Sequence, residues 1–165
     1  MKRRANFTIA LSAALGLAAL ASGAAGQAQV RIDTNPLDQH QIGFSTLLTV
    51  RDLSASEAFY VRYFGFRVIE RLQTLRRLER PGISLYLITE SPPTSDKPPV
   101  TLAPPALRAR PPVNLIFHVS DVRATHKALV SLGLQFLAPP QQPAWGGWRC
   151  LAQDPDGYLI EIEQS

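Results

Sequence analysis

The amino-acid sequence predicts an α+β fold, two paired βαβββ modules forming a curved mixed sheet with a concave cavity on one side and helices outside. Three observations carry this. The strand, turn and helix pattern running from Phe44 to Phe66 returns between Val113 and Leu134, offset by 69 residues before the helix and 68 after it. Eight prolines, in four Pro-Pro pairs, crowd the 22 residues from Ser91 to Pro112 between the copies, a density that no helix or central strand survives. Finally, Asp154-Pro155-Asp156-Gly157 has the composition of a tight turn, and Tyr158, Ile160 and Ile162 then alternate with Leu159, Glu161 and Glu163. That period of two marks a strand with one buried face.

Taken in order, residues 1–28 read as a secretory signal peptide. Lys2, Arg3 and Arg4 are its basic end, Phe7 to Ala21 its apolar run, and Gly26 and Ala28 the small residues before a cleavage point. The apolar run is short for a membrane span, so the reading is export to the periplasm or beyond, with no membrane attachment after cleavage. Residues 29–41 are a polar lead-in, and 42–165 form a single domain with modules 42–90 and 113–164 joined by the proline-rich linker 91–112.

Within the first module, Phe44 to Val50 alternates as a strand. Ser54 and Glu57 have capping-box spacing for a following helix, with Leu53 and Ala58 as its staple. Phe59, Tyr60, Tyr63 and Phe64 give that helix an aromatic flank for packing on the sheet, and Gly65 is its left-handed stop. Three short strands follow, at Phe66 to Leu72, Thr74 to Glu79 and Ile83 to Thr89, the last two joined by a Pro81-Gly82 turn. The arginines among them (Arg67, Arg71, Arg76, Arg77, Arg80) read as a solvated strand face. In the second module Val113 to Val119 alternates in the same phase, and Asp121-Val122 and Gly133-Leu134 mirror Asp52-Leu53 and Gly65-Phe66.

Composition narrows the function classes. Lys and Arg outnumber Asp and Glu by 17 to 13, yet without Lys2, Arg3 and Arg4 the balance is 14 to 13, so the basic character belongs to targeting and nucleic-acid binding loses its support. Cys150 is the single cysteine; it excludes an intrachain disulfide and reads as a small buried side chain.

With these elements in place, "TVRDLSASEAFYVRYFGF" opening the first copy and "WGGWRCLAQDPDGYLIEIEQ" closing the second, the chain resembles the vicinal oxygen chelate superfamily. That group holds glyoxalase I, extradiol dioxygenases, fosfomycin-resistance enzymes and bleomycin-resistance binding proteins. The likeness runs from about Ile42 to Gln164 and implies the fold without fixing an activity. Family members often dimerise, sometimes exchanging modules, which makes a homodimer an expectation here.

The resemblance implies metal-ligand positions on the concave face, one in the first and one in the last strand of each module. By repeat register these are Ser45, Tyr86, Asn114 and Glu161, and only Glu161 has the ligand type of the metal enzymes. Zinc or iron needs three or four good donors, so no cofactor is expected and the metal site reads as degenerate. His118 shares a face with Asn114 and Ile116, and it is the second candidate beside Glu161 for a catalytic acid or base. His40 and His126 read as solvated histidines, and Asp154 and Asp156 as turn residues. A carboxylate in a half-apolar cavity lined by Ser45, Leu47, Tyr86, Asn114 and Ile116 is expected to have a raised pKa unless a cation pairs with it. It could then bind a basic group on a ligand or act as a general acid or base, the plainer role being a hydrogen bond to Ser45, Tyr86 or Asn114. Trp145, Trp148 and Arg149, just before the final hairpin, have the character of a stacking and anion-pairing wall, with packing of one Trp in the core as the plainer role.

The expected function is that of an exported small-molecule-binding protein. Its alternatives are a metal-dependent lyase, isomerase or dioxygenase using Glu161 and His118 with a recruited divalent metal, and a non-catalytic partner-binding domain.

Overall fold

The structure, a computed structural model, describes residues 43–106 and 111–164. The expected signal peptide, the lead-in and His40 lie outside the described residues. The first module runs β1 (Thr46–Val50), α1 (Leu53–Phe64), β2 (Arg67–Arg71), β3 (Leu75–Arg80) and β4 (Ile83–Thr89). The second repeats it as β5 (Asn114–His118), α2 (Val122–Ser131), β6 (Phe136–Gln141), β7 (Trp148–Gln153) and β8 (Leu159–Gln164).

Each module makes a four-stranded sheet, ordered β1-β4-β3-β2 in the first and β5-β8-β7-β6 in the second. β1 lies parallel to β4 and β5 parallel to β8, while the remaining pairs are antiparallel. The two sheets are therefore mixed, as expected, but among the described residues no strand pairing fuses them into one. A side chain caps one residue of the free edge of β1. The Tyr158 hydroxyl accepts from Thr49 N at 3.1 Å and donates to Thr49 O at 3.0 Å, which occupies main-chain groups of an edge strand that a neighbouring strand would otherwise take.

Alternation sets the burial. Leu48 and Val50 of β1, Leu85 and Leu87 of β4, Cys150 and Ala152 of β7, and Ile160 and Ile162 of β8 all point inward. With Tyr60 and Phe64 of α1 and Val122 and Leu129 of α2 they form one apolar cluster spanning both modules. Phe64 stacks on Phe117 of β5 at 4.6 Å between ring centroids, which carries the aromatic flank of α1 across to the second sheet. Gly65 ends α1 with φ 65 and hands the chain back to β2, a conformation that only glycine adopts without strain.

Two local expectations are corrected. Asp52, not Ser54, caps α1, its carboxylate accepting from Ser54 N and Ala55 N. The helix starts at Leu53, so Glu57 lies beyond the first turn, and its carboxylate instead holds Arg71 at 2.7 Å and Arg76 at 3.1 Å. The arginine run is thus an ion-paired face rather than a merely solvated one; Arg77 meets Glu79, and Arg80 NH1 donates to Phe64 O at 2.8 Å. The proline-rich segment doubles back through a Ser91–Leu102 bridge, Pro104 and Pro105 are buried, and Pro105 O accepts from Arg51 at 3.0 Å.

The turn between β7 and β8 joins the modules. Asp154 Oδ1 accepts from the amides of Asp156, Gly157 and Tyr158 at 2.8–3.0 Å, and its Oδ2 accepts from the Tyr60 hydroxyl at 2.8 Å. Asp156 reaches the start of α1, where Oδ1 accepts from Arg51 N at 2.9 Å and Oδ2 from Ser56 Oγ at 3.0 Å. Burial raises the Asp154 carboxyl above its usual range. Burial first, and the Asp154 charge second, push the Tyr60 phenol well above 10, while burial pushes the Cys150 thiol to about 11.

These last two shifts fix an alkaline limit. Both groups hold their protons more tightly folded than unfolded, so their contribution is complete below the unfolded values near 9 and 10 and is lost as pH rises above them. The urea midpoint is expected to fall steeply above about pH 9, and less steeply in Tyr60→Phe, even though that variant starts from a lower midpoint at pH 8. Parallel pH profiles for the two proteins would contradict this assignment.

Candidate functional site

The register of β8 decides which side chains surround Glu161. β8 alternates, so Ile160 and Ile162 enter the core and Glu161 emerges on the face turned away from α2. Its cross-strand neighbours are Ile116 on β5 and Leu151 on β7. Asn114, one same-face position before Ile116, donates Nδ2–H to Glu161 Oε2 at 2.8 Å. Arg149, one same-face position before Leu151, donates to Oε1 at 3.1 Å. Glu161 is only 7% exposed, and a buried carboxylate is tolerable when, as here, each oxygen has a donor and one donor is cationic.

Arg149 continues the arrangement outward. Its guanidinium lies over the Trp145 ring, 4.7 Å from the centroid, and that ring is 70% exposed. Trp145 sits in the turn before β7, where Gly146 and Gly147 have φ 98 and 69; both values lie in the region other residues avoid. Carboxylate, guanidinium and indole thus form a graded wall beside the half-exposed Ile116. The partnership of Arg149 with Glu161 escapes a reading of the sequence because it depends on how far β7 is staggered against β8.

The other expected residues are distributed elsewhere. Leu47 and Tyr86 are direct partners across β1 and β4, with Ser45 exposed just before β1. Arg77 lies beneath Tyr86, its guanidinium carbon 5.9 Å from the ring centroid, and Arg77 Nε is buried without a hydrogen-bond partner. Among the described residues no hydrogen bond, ion pair or ring contact links this first-module set to Glu161, Asn114 or Arg149. Trp148 lies on the opposite face of β7, packed on the core with Arg123 over its ring at 3.9 Å. His118 is exposed and pairs in register with Glu163, one same-face step beyond Ile116. His126 lies on α2 against Phe136, 4.3 Å between ring centroids.

The sequence matches the family model of the Glyoxalase/Bleomycin resistance protein/Dioxygenase superfamily over residues 24–162. The chain belongs to that superfamily. Solved structures of the same fold include a glyoxalase/bleomycin resistance protein/dioxygenase from Nocardioides, with 21% identity, TM-score 0.62 and coverage of 76% of this chain and 84% of that one. A bleomycin-binding protein in complex with bleomycin has 22% identity and TM-score 0.55, with 76% and 99% coverage. A glyoxalase-related enzyme from Fulvimarina pelagi has 27% identity and TM-score 0.56, with 74% and 88% coverage. No curated protein matches the sequence.

Ser45, Tyr86, Asn114 and Glu161 are the four positions at which the resemblance implied metal ligands. The residues present do not fit a divalent metal. Only Glu161 is a strong donor, its two oxygens are turned to Asn114 and Arg149, and among the described residues no three His, Cys, Asp or Glu side chains gather. The Arg149 guanidinium stands against the carboxylate at 3.1 Å.

If Arg149 answers the Glu161 charge, their effects on stability are coupled. Single Arg149→Met and Glu161→Gln substitutions each destabilise. In the double variant the costs fall short of additivity by about 1–2 kcal/mol, between the values of an exposed and a buried pair. Urea unfolding of the four proteins reads this out, and simple additivity would show that the pair is not coupled.

Proposed function

We propose that this protein binds a small, flat, partly apolar molecule on the second-module face centred on Glu161, without a metal. The observation that carries the reading is the sequence Glu161, Arg149, Trp145, from a buried carboxylate to an exposed indole in two contacts. An exposed Trp held against a guanidinium offers a stacking surface at little conformational cost. Behind it, Asn114, Arg149 and Glu161 supply a donor, a cation and an acceptor that orient polar groups on a ligand. The bleomycin-binding neighbour supports the same class of function, since its solved complex holds a small molecule on this fold.

The reading extends to assembly and location. Leu47 and Ile116, both about half exposed, are apolar and hold equivalent places in the two modules, and among the described residues no hydrogen bond, ion pair or ring contact joins the Tyr86 and Glu161 sets. A homodimer that sets the first-module face of one copy against the second-module face of another would complete a closed pocket. Residues 1–28 would direct export, so protein recovered from the periplasm is expected to begin after Ala28 by intact mass.

Trp145 is both probe and participant in the test. A panel of planar aromatic compounds is titrated while tryptophan fluorescence is followed; Trp148, covered by Arg123 and the core, gives the constant background. Saturable quenching by at least one compound is expected, weakened about tenfold or more in Arg149→Met and Glu161→Gln and abolished in Trp145→Phe. Quenching that never saturates, or that ignores both charge variants, would defeat the reading.

A further inference from the structure

The two modules also differ at the edge of the second sheet, where Ile116 and His118, on the same face of β5 as Asn114, border a cavity that reaches the first module. Each module has a socket at the end of its first strand and the start of its helix. In the first module the socket is formed by Thr49, Arg51, Ser56 and Tyr60, and the turn between β7 and β8 fills it. Asp156 bonds Arg51 N and Ser56 Oγ, Asp154 bonds Tyr60, and Tyr158 bonds Thr49. The repeat offset of 69 carries Thr49, Val50, Ser56 and Tyr60 onto His118, Val119, Thr125 and Leu129. All four of those residues line a cavity of about 670 Å³.

The cavity is open because the first module's turn lacks the filling groups. In the strand register Tyr86 corresponds to Glu161, since each pairs with the matching residue of the first strand, Leu47 or Ile116. The turn Arg80-Pro81-Gly82-Ile83 is then the counterpart of Asp154-Pro155-Asp156-Gly157-Tyr158. Arg80 stands for Asp154, nothing stands for Asp156, and Ile83 stands for Tyr158. Two carboxylates and a phenol are missing from a socket that still has its walls. Arg80 and Ile83 are both in its lining, with Phe64 and Phe117 among the apolar surfaces.

The charge of the lining points the same way. Arg80 and His118 are its basic residues, and no Asp or Glu is among the residues that form it. Arg80 NH1 donates to Phe64 O at 2.8 Å, which tethers the guanidinium at the wall. The Thr125 hydroxyl, counterpart of the Ser56 group that holds Asp156, donates to Asp121 O at 2.7 Å and keeps its oxygen available as an acceptor. We propose that this cavity is a second ligand site, which takes a small aryl carboxylate with its acid group toward Arg80 and its ring in the space that Tyr158 fills in the companion socket. The site shares Ile116 with the Glu161 face but includes neither Glu161, Arg149 nor Trp145 in its lining. His118, on this account, serves the second site.

The test uses 4-hydroxyphenylacetate as the probe, its methyl ester as the uncharged control, and amide NMR of the full chain as the readout. Saturable shifts are expected at Val119, Thr125 and Leu129, with affinity reduced about tenfold or more by the ester and by Arg80→Met, the loss of one charge-assisted hydrogen bond. Ile83→Trp, which fills the cavity from a half-exposed position, should abolish binding while leaving the spectrum folded. Absence of saturable binding at millimolar probe overturns the proposal. Equal binding of acid and ester, or shifts confined to Asn114, Glu161 and Arg149, overturns it as well.

Discussion

Two aspartates in one five-residue turn hold the two halves of this protein against each other. Asp154 organises the turn from within by accepting from three successive amides, and Asp156 leaves it to accept from the main chain and a side chain of the other module. Both are 2% exposed, so each represents a charge withdrawn from water that only a full set of donors makes tolerable. Tyr158 adds the contact that covers the edge of β1. The position of β8, and with it the direction in which Glu161 points, follows from where this turn is seated.

The chain repeats one unit twice, and both proposed ligand sites lie where the two copies differ. Equivalent places hold Tyr86 in one module and Glu161 in the other, a filled socket in one and an open cavity in the other. The first of these differences lies on the outward face of the sheets, whereas the second reaches the core through Tyr60, Tyr158 and Leu129. The outward positions of β5, β7 and β8 hold the Asn114, Arg149 and Glu161 cluster.

The fold was legible in the sequence because its signals are local or repetitive: alternation over four to seven residues, glycine after an aromatic helix end, and a repeat interrupted by prolines. The contact of Asn114 with Glu161 was legible in part, since repeat register put both residues on one face. Three features were not. The choice of Asp52 over Ser54 as cap depends on where the first helical turn closes, a matter of one residue. The bond between Arg149 and Glu161 depends on hairpin stagger. The docking of Asp156 on Arg51 and Ser56 joins residues about a hundred positions apart, and no short-range pattern encodes it. A signal for the open cavity was present all the same, in the comparison of Arg80-Pro81-Gly82-Ile83 with Asp154-Pro155-Asp156-Gly157-Tyr158.

Native-state hydrogen exchange measures the central joint most directly, because the amides of Thr49, Arg51 and Gly157 are bonded to the turn or within it. If the turn is the joint between modules, these three exchange only through global unfolding, with the same free energy as the core amides of β4 and β8. Exchange of the three through a local opening, while β4 and β8 stay protected, would show that the modules hold together without it.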